Sequence, residues 1–297
     1  MRRLRLLHLS DTHVLREGAL HLGRVDTRAQ LRAALTRFDA LRDLDAVVVS
    51  GDCSDDGTED SYRFLADTVG GFAAARGAAT VYAVGNHDDR ATFARILGNG
   101  VGGAAPAPHG GQASAVDAVL DVAGYRLIVL DTQVPGQGDG AIDPARVEHA
   151  AAALREAGRP AVVVLHHPPV PATDRLTHVF ELDAPERLLP LVGTGLVRAF
   201  LCGHYHHALS ASFHGVPVHV APGVANVVDT ASGYDAYVTR PGWGGQVVDV
   251  EERGVTVLPV VAEGAGAPAT LPQESMLRIA RADGGPHWRR RWDDGAP

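Results

Sequence analysis

The chain has 297 residues and is 45% apolar, enough for one large domain or two modest ones with a sizeable core. Its net charge of −8 argues against a general nucleic-acid binder, which must neutralise phosphates. All 27 basic residues are arginine, which removes a phosphate-loop lysine, a Schiff-base lysine and a Ser–Lys pair from the available chemistry.

Leu4–Leu9 reads as a short buried strand. The arginines before it hint at a signal peptide, but the run is too short and His8 breaks it. Asp26–Leu44 has helical spacing at Leu31, Leu35, Phe38 and Leu41. Ala46–Ser50 is a strand, Asp60–Arg76 a helix, Ala79–Val84 a strand, and a short helix follows near Thr92–Leu97. Such alternation predicts an α/β sheet with helices on its faces. After the glycine-rich stretch Gly98–Ser114, Ala115–Val122 and Tyr125–Asp131 form a hairpin around Gly124. Pro144–Ala157 is a helix with Asp143 as its N-cap. Ala161–Leu165, Val197–Leu201, Ala208–Phe213, Val216–Ala221, Gln246–Val250 and Val255–Val261 are further strands. Two sheets packed face to face and flanked by helices accommodate both halves. Residues 1–261 are expected to be one domain. Residues 262–297 lose periodicity and read as an irregular tail. Its Arg–Trp cluster is either a solvated terminus or a membrane or partner contact.

No segment approaches the roughly 18 apolar residues of a membrane span. Cys53 and Cys202 are too few for a disulfide scaffold and fit a reducing compartment, so a cytoplasmic protein is expected. Both read as small buried hydrophobes.

Five apolar runs end in polar clusters. "LLHLSDTH" delivers Asp11 and His13, "AVVVSGD" Asp52, and "VYAVGNHDD" Asn86, His87 and Asp88. "AVVVLHHPP" delivers His166 and His167, and "VRAFLCGHYH" His204 and His206. Strand C-terminal ends are where α/β sheets build sites. Asp11, His13, Asp52, Asn86, His166, His204 and His206 offer oxygen and nitrogen but no thiolate, which suits Mn, Fe, Co, Ni or Zn. Seven donors exceed one tetrahedral zinc and suit two metals sharing a carboxylate. On an extended backbone, D-x-H and H-x-H would place both side chains on one side. Glycines before Asp52, Asn86 and His204 are expected to permit sharp turns.

The order D-x-H, G-D, G-N-H-D, H-x-P and G-H-x-H resembles the calcineurin-like metallophosphoesterase superfamily. "HLSDTH", "GNHDD", "LDTQVPG", "LHHPPVP" and "FHGVPVHVAP" resemble its bacterial class III cyclic nucleotide phosphodiesterases. The resemblance covers residues 4–261. It implies a four-layer α/β/β/α sandwich of two mixed sheets. It implies two metal ions, Mn, Fe or Zn: one held by Asp11, His13 and His206, the other by Asn86, His166 and His204, with Asp52 bridging. It implies that a hydroxide between the metals attacks a phosphodiester, cAMP giving 5′-AMP. His87 would be the catalytic histidine, oriented by Asp88. Asn86, His87, His206 and His167 would face the substrate, His167 being either such a contact or a group behind the ligands. Tyr205 and the segment Pro222–Thr230 depart from the relatives' pattern.

Gly98–Gly103 matches G-x-G-x-x-G but follows a helix, so a dinucleotide site fails on context and a flexible loop near the pocket mouth is expected. Gln133–Asp143 and Val227–Gln246 read as long polar loops. Tyr234, Tyr237 and Trp243 within them are candidates for nucleobase stacking, a homodimer contact or simple packing. The remaining histidines, His21 among them, carry no motif and read as structural or exposed. The rival functions are hydrolysis of another small phosphoester (a 2′,3′-cyclic nucleotide, a glycerophosphodiester or a biosynthetic intermediate) and a non-catalytic scaffold of the same fold.

Overall fold

The structure is a computed structural model and describes residues 2–101, 115–264 and 267–293. The first half builds β1 (Leu4–Leu9), α1 (Thr27–Arg37), β2 (Ala46–Ser50), α2 (Glu59–Ala74), β3 (Ala79–Ala83) and α3 (Arg90–Leu97). There follow β4 (Ala118–Val122), β5 (Tyr125–Val129), α4 (Pro144–Ala157), β6 (Ala161–Val164), α5 (Arg175–Val179), α6 (Leu189–Val192) and β7 (Val197–Cys202). Then come β8 (Leu209–Phe213), β9 (Val216–Val220), β10 (Val227–Val228), β11 (Tyr237–Arg240), β12 (Gly242–Glu251), β13 (Gly254–Glu263), β14 (Ala269–Leu271), α7 (Gln273–Asp283) and α8 (Trp288–Asp293). Helices α1 to α4 start where a short polar side chain accepts from an orphan backbone N–H: Asp26, Thr58, Asp89 and Asp143 accept from Ala29, Ser61, Thr92 and Ala145.

Two large mixed sheets form, ordered β13-β12-β1-β2-β3 and β4-β5-β6-β7-β9-β8. β1, β2 and β3 run parallel, as do β5, β6, β7 and β9, with antiparallel strands at the flanks. The period-two alternation of side chains splits each strand between two cores. Leu4, Leu6, Ala46, Val48, Val162 and Val164 fill the core between the sheets. Leu7, Leu9, Val47 and Val49 pack beneath α1 and α2, and Ala161, Val163 and Leu165 beneath α4 and α6. The result is the expected order of helix, sheet, sheet, helix. Because the central strands are parallel, the C-terminal ends of β1, β2 and β3 share one edge of their sheet, and those of β6 and β7 share one edge of the other.

Two readings from sequence are corrected. Val227–Gln246 is not one long loop: it carries β10, β11 and the start of β12. Its glycines mark close packing, since a Cβ on Gly244 would overlap Pro222 and one on Gly245 would meet Leu9 and the Phe38 ring. Trp243, on the same strand, packs against the core beneath α1.

Nor is the segment after 261 an irregular tail. β14 pairs with β11, with Tyr237 opposite Leu271, and α7 and α8 bury Met276, Ala280 and Trp292 against Leu176 and Val179. Arg291 and Trp292 of the Arg–Trp cluster point inward, while Arg289 and Arg290 stay exposed: Arg291 donates to the Val179 and Glu181 carbonyls at 3.1 and 3.2 Å. A guanidinium satisfied by carbonyls can be buried, and composition alone does not reveal those partners. Among the described residues, no helix is long and apolar enough to cross a membrane. His109 and the last two glycines of Gly98–Gly103 lie outside the described residues.

Candidate metal centre

The polar clusters leave the strands through tight turns. Asp11, His13, Asp52, His204 and His206 all take positive φ, between 40° and 71°. Each such non-glycine residue costs about 1–3 kcal/mol unless its surroundings fix it. The extended D-x-H and H-x-H expected from sequence are therefore replaced by left-handed bends. Backbone bonds between distant segments enforce them: Asp11 N–H to Gly51 O (3.1 Å), His13 N–H to Asp52 O (2.9 Å) and Ala225 N–H to Asp11 O (3.0 Å). Gly51 does take positive φ, at 104°, and a Cβ there would strike the His166 ring. At Gly85 and Gly203 the need is space, since a Cβ would overlap Asp52 at the first and Ser10 at the second.

The seven predicted donors come together. His13 Nε2 and His206 Nε2 lie 3.2 Å apart, with Asp52 Oδ2 3.5 Å from the first and Asp11 Oδ1 3.4 Å from the second. On the other side, His166 Nε2 is 3.3 Å from the same Asp52 Oδ2 and 3.1 Å from Asn86 Oδ1. The His204 ring stands 5.0 Å from that of His166.

The outer ring atoms decide the tautomers. His13 Nδ1 bonds Asp55 Oδ1 (2.9 Å), His206 Nδ1 faces Asn226 oxygens (3.1 and 3.3 Å), His166 Nδ1 faces Ser50 O (2.9 Å) and His204 Nε2 faces Phe180 O (3.0 Å). Each outer nitrogen must donate, so in a neutral ring the inner nitrogen is a lone pair. Burial pushes His13 and His206 down to about 4, so both are neutral at pH 7. Two lone pairs facing each other beside two buried carboxylates repel unless a cation lies among them, so the residues fit a metal ion on each side of Asp52. Burial raises Asp11 to about 6, whereas His166 and His87 hold the Asp52 carboxyl well below its ordinary value despite burial. His166 itself, though buried, is held up at about 9 by Asp52, a proton standing where a cation would bind.

His87 borders this centre with its side chain 46% exposed. Burial opposes its charge, but Asp52 and a 3.1 Å bond from Nδ1 to Asp55 outweigh that and raise it to about 9. Asp88 does not orient it, contrary to expectation. The Asp88 carboxylate accepts from the N–H groups of Cys53, Ser54 and Gly85 and from the Tyr62 hydroxyl, at 2.8–3.1 Å, and so ties the Asp52 and Asn86 turns together. His167 is likewise engaged by the protein. It is fully buried, with Nδ1 2.8 Å from the Thr132 hydroxyl and Nε2 3.1 Å from Gly138 O.

The group that orients His87 is Asp55. Its carboxylate also holds His13 and, at 3.0 Å, His21, and Asn226 links His21 (3.3 Å) to His206. A chain of hydrogen bonds thus runs from His13 through Asp55, His21 and Asn226 to His206. Neither Asp55 nor Asn226 stood out in the sequence; the only available signal was a second acid three residues after Asp52. The two departures from the relatives' pattern are also placed. The Tyr205 hydroxyl donates to Val170 O at 2.8 Å inside the core beneath α4, and the segment around Asn226 buttresses the ligand turns.

A sandwich of two sheets whose strand ends gather such a donor set defines a metal-dependent phosphoric ester hydrolase. The chain belongs to the calcineurin-like phosphoesterase family, whose model matches residues 4–208. A protein named as a probable cyclic nucleotide phosphodiesterase, from Rhodococcus erythropolis, is 38% identical over 218 residues, 73% of this chain and 69% of that one. The cAMP/cGMP dual specificity phosphodiesterase of Mycobacterium tuberculosis is 37% identical over 222 residues, 73% of this chain and 66% of that one. A dimetal phosphatase from Danio rerio shares the fold, with a TM-score of 0.56 at 14% identity over 86% of this chain and 98% of that one.

Two outcomes follow from the geometry. Asp55→Asn keeps the shape but loses the charge that holds His13, so metal affinity drops by about 10–100-fold with the unfolding midpoint little changed. Titration calorimetry beside thermal melts checks this, and unaltered affinity refutes it. Second, metal binding at pH 7 releases the His166 proton, so affinity rises with pH towards about 9, where that proton is already lost. Calorimetry in buffers of different ionisation enthalpy measures the release.

Proposed function

We propose that the protein is a dinuclear phosphodiesterase that hydrolyses a 3′,5′-cyclic nucleotide, cAMP foremost, to the 5′-nucleotide. The observation that carries this reading is Asp52 Oδ2, placed 3.5 and 3.3 Å from imidazole nitrogens of two separate donor sets. Asp11, His13 and His206 would hold one ion and Asn86, His166 and His204 the other, with Asp52 shared. The mixed nitrogen and oxygen set suits Mn, Fe or Zn. Bound there, the pair supplies charge for the phosphoryl oxygens and lowers the pKa of water.

The chain's residues do the rest. The bent turns and the outer hydrogen bonds fix the donors before substrate arrives, so little reorganisation is left for the reaction. Asn86, His87 and His206 line one cavity, where they would border the phosphate. With His87 Nδ1 engaged by Asp55, Nε2 is the atom left for substrate. The hydrogen bond to Asp55 favours the protonated ring, and Nε2 would give its proton to the leaving ester oxygen. Asp88 and His167 act as supports behind the site, and neither touches substrate. The names of the two relatives support the choice of a cyclic nucleotide. Two free, buried cysteines fit a reducing, cytoplasmic setting.

The test is a panel: Mn-loaded protein with 3′,5′-cAMP, 2′,3′-cAMP, bis(p-nitrophenyl) phosphate and p-nitrophenyl phosphate. Turnover of 3′,5′-cAMP to 5′-AMP and of the synthetic diester, with the monoester far slower, is expected. Hydrolysis of the monoester alone makes it a phosphatase, and inactivity on all four with two metals bound makes it a scaffold. His87→Ala should retain both metals by elemental analysis while kcat falls by about 10²–10⁴. Loss of metal along with rate makes His87 a ligand instead.

A further inference from the structure

The donor set opens into a cavity of about 590 Å³, in the range of roughly 300–1,000 Å³ that takes whole small molecules and larger than a bare phosphate needs. Its lining carries His13, Asp52, Asn86, His204 and His206 together with an apolar group, Phe180, Tyr237, Leu271 and Ile279, that has Thr239, Thr270 and Asp283 at its margin. Tyr237 lies on β11 and Leu271 opposite it on β14, while Ile279 comes from α7. Two of these four residues thus belong to the segment after 261, beyond the part of the chain that the family model matches.

That segment is fastened, not draped. The Gly138 N–H donates to the Asp283 carbonyl, tying α7 to the loop after β5. Arg291 holds the carbonyls of Val179 and Glu181, on either side of Phe180, and the Phe180 carbonyl accepts from His204 Nε2. Met276, Ala280 and Trp292 seal the same contact with Leu176 and Val179. An apolar wall so fixed can read the shape of a ligand without paying to order itself on binding.

We infer that the segment Ala269–Asp283 is the specificity wall of this site: Leu271 and Ile279, beside Tyr237, receive the planar apolar part of the ester, a nucleobase, while its phosphate lies against the donor set. The identity of that group as a nucleobase rests on the reading of the substrate as a nucleotide. The wall itself rests on the cavity.

Two ligands separate the phosphate from the organic group. Binding of 5′-AMP and of inorganic phosphate to the Mn-loaded full-length protein is measured by calorimetry for the wild type, Ile279→Trp, which fills the cavity, and Leu271→Asp, which charges it. Metal content and unfolding midpoint confirm that each variant is folded. AMP should bind the wild type more tightly than phosphate does, and both variants should weaken AMP by about tenfold or more while phosphate affinity holds. If phosphate binds the wild type as tightly as AMP, or if both ligands weaken in parallel, the wall is overturned. If AMP discrimination depends on Ile279 and Leu271 yet cAMP is not hydrolysed, the reaction assigned above fails and the wall stands.

Discussion

The structure turns on a repulsion. Inside the fold, two carboxylates, an amide oxygen and the lone pairs of neutral imidazoles are pressed together, with Asp52 Oδ2 at the middle of both groups. Buried acceptors without donors are costly, and among the described residues only protons on the imidazoles and carboxyls answer the negative charge. The arrangement makes physical sense only as a receptacle for cations. The strain in the ligand turns points the same way. Five donors sit in left-handed bends that a relaxed chain would avoid; backbone bonds from distant segments hold Asp11, His13 and Asp52, and the Asp11 carboxylate accepts the His204 N–H.

The cost is carried by the cores around the site. Leu4, Leu6, Val162 and Val164 bind the two sheets to each other, and the helices outside bury the alternate side chains. Parallel strands put their ends at common edges, so the acceptors meet there by topology. What aims them is an outer layer of partners: Asp55, Ser50 O, Asn226 and Phe180 O each accept a hydrogen bond from an imidazole N–H and turn its other nitrogen inward. Because Asp55 serves His13 and His87 together, the two imidazoles are oriented by one carboxylate.

The segment after 261 gives a generic centre its boundary. β14 and α7 add Leu271 and Ile279 to a cavity whose lining also holds the donor set. Arg291 links this boundary to the metal side, because the carbonyls it grips flank the one that orients His204. Shape selection and ligand orientation thus lean on the same short stretch, Val179–Glu181.

Much of this was legible in the residues. Apolar runs with period-two burial announced the strands, and the residue types at their ends announced the seven donors, because burial pattern and ligand chemistry are local properties of a stretch. Directions were not legible. Asp88 and His167 sit in the right motifs yet point away from the cavity, since the N–H groups of Cys53 and Ser54 and the Gly138 carbonyl claim them. Asp55, His21 and Asn226 carry no motif, and their role arises from loops that meet only after folding. Gly244 and Gly245 read as loop because the space they spare belongs to Pro222, Leu9 and Phe38, far away in the chain. The sequence alone determined which groups exist and which strand ends present them. Tertiary structure alone decided where each carboxylate and imidazole aims, because a polar side chain turns towards partners that another part of the chain must bring.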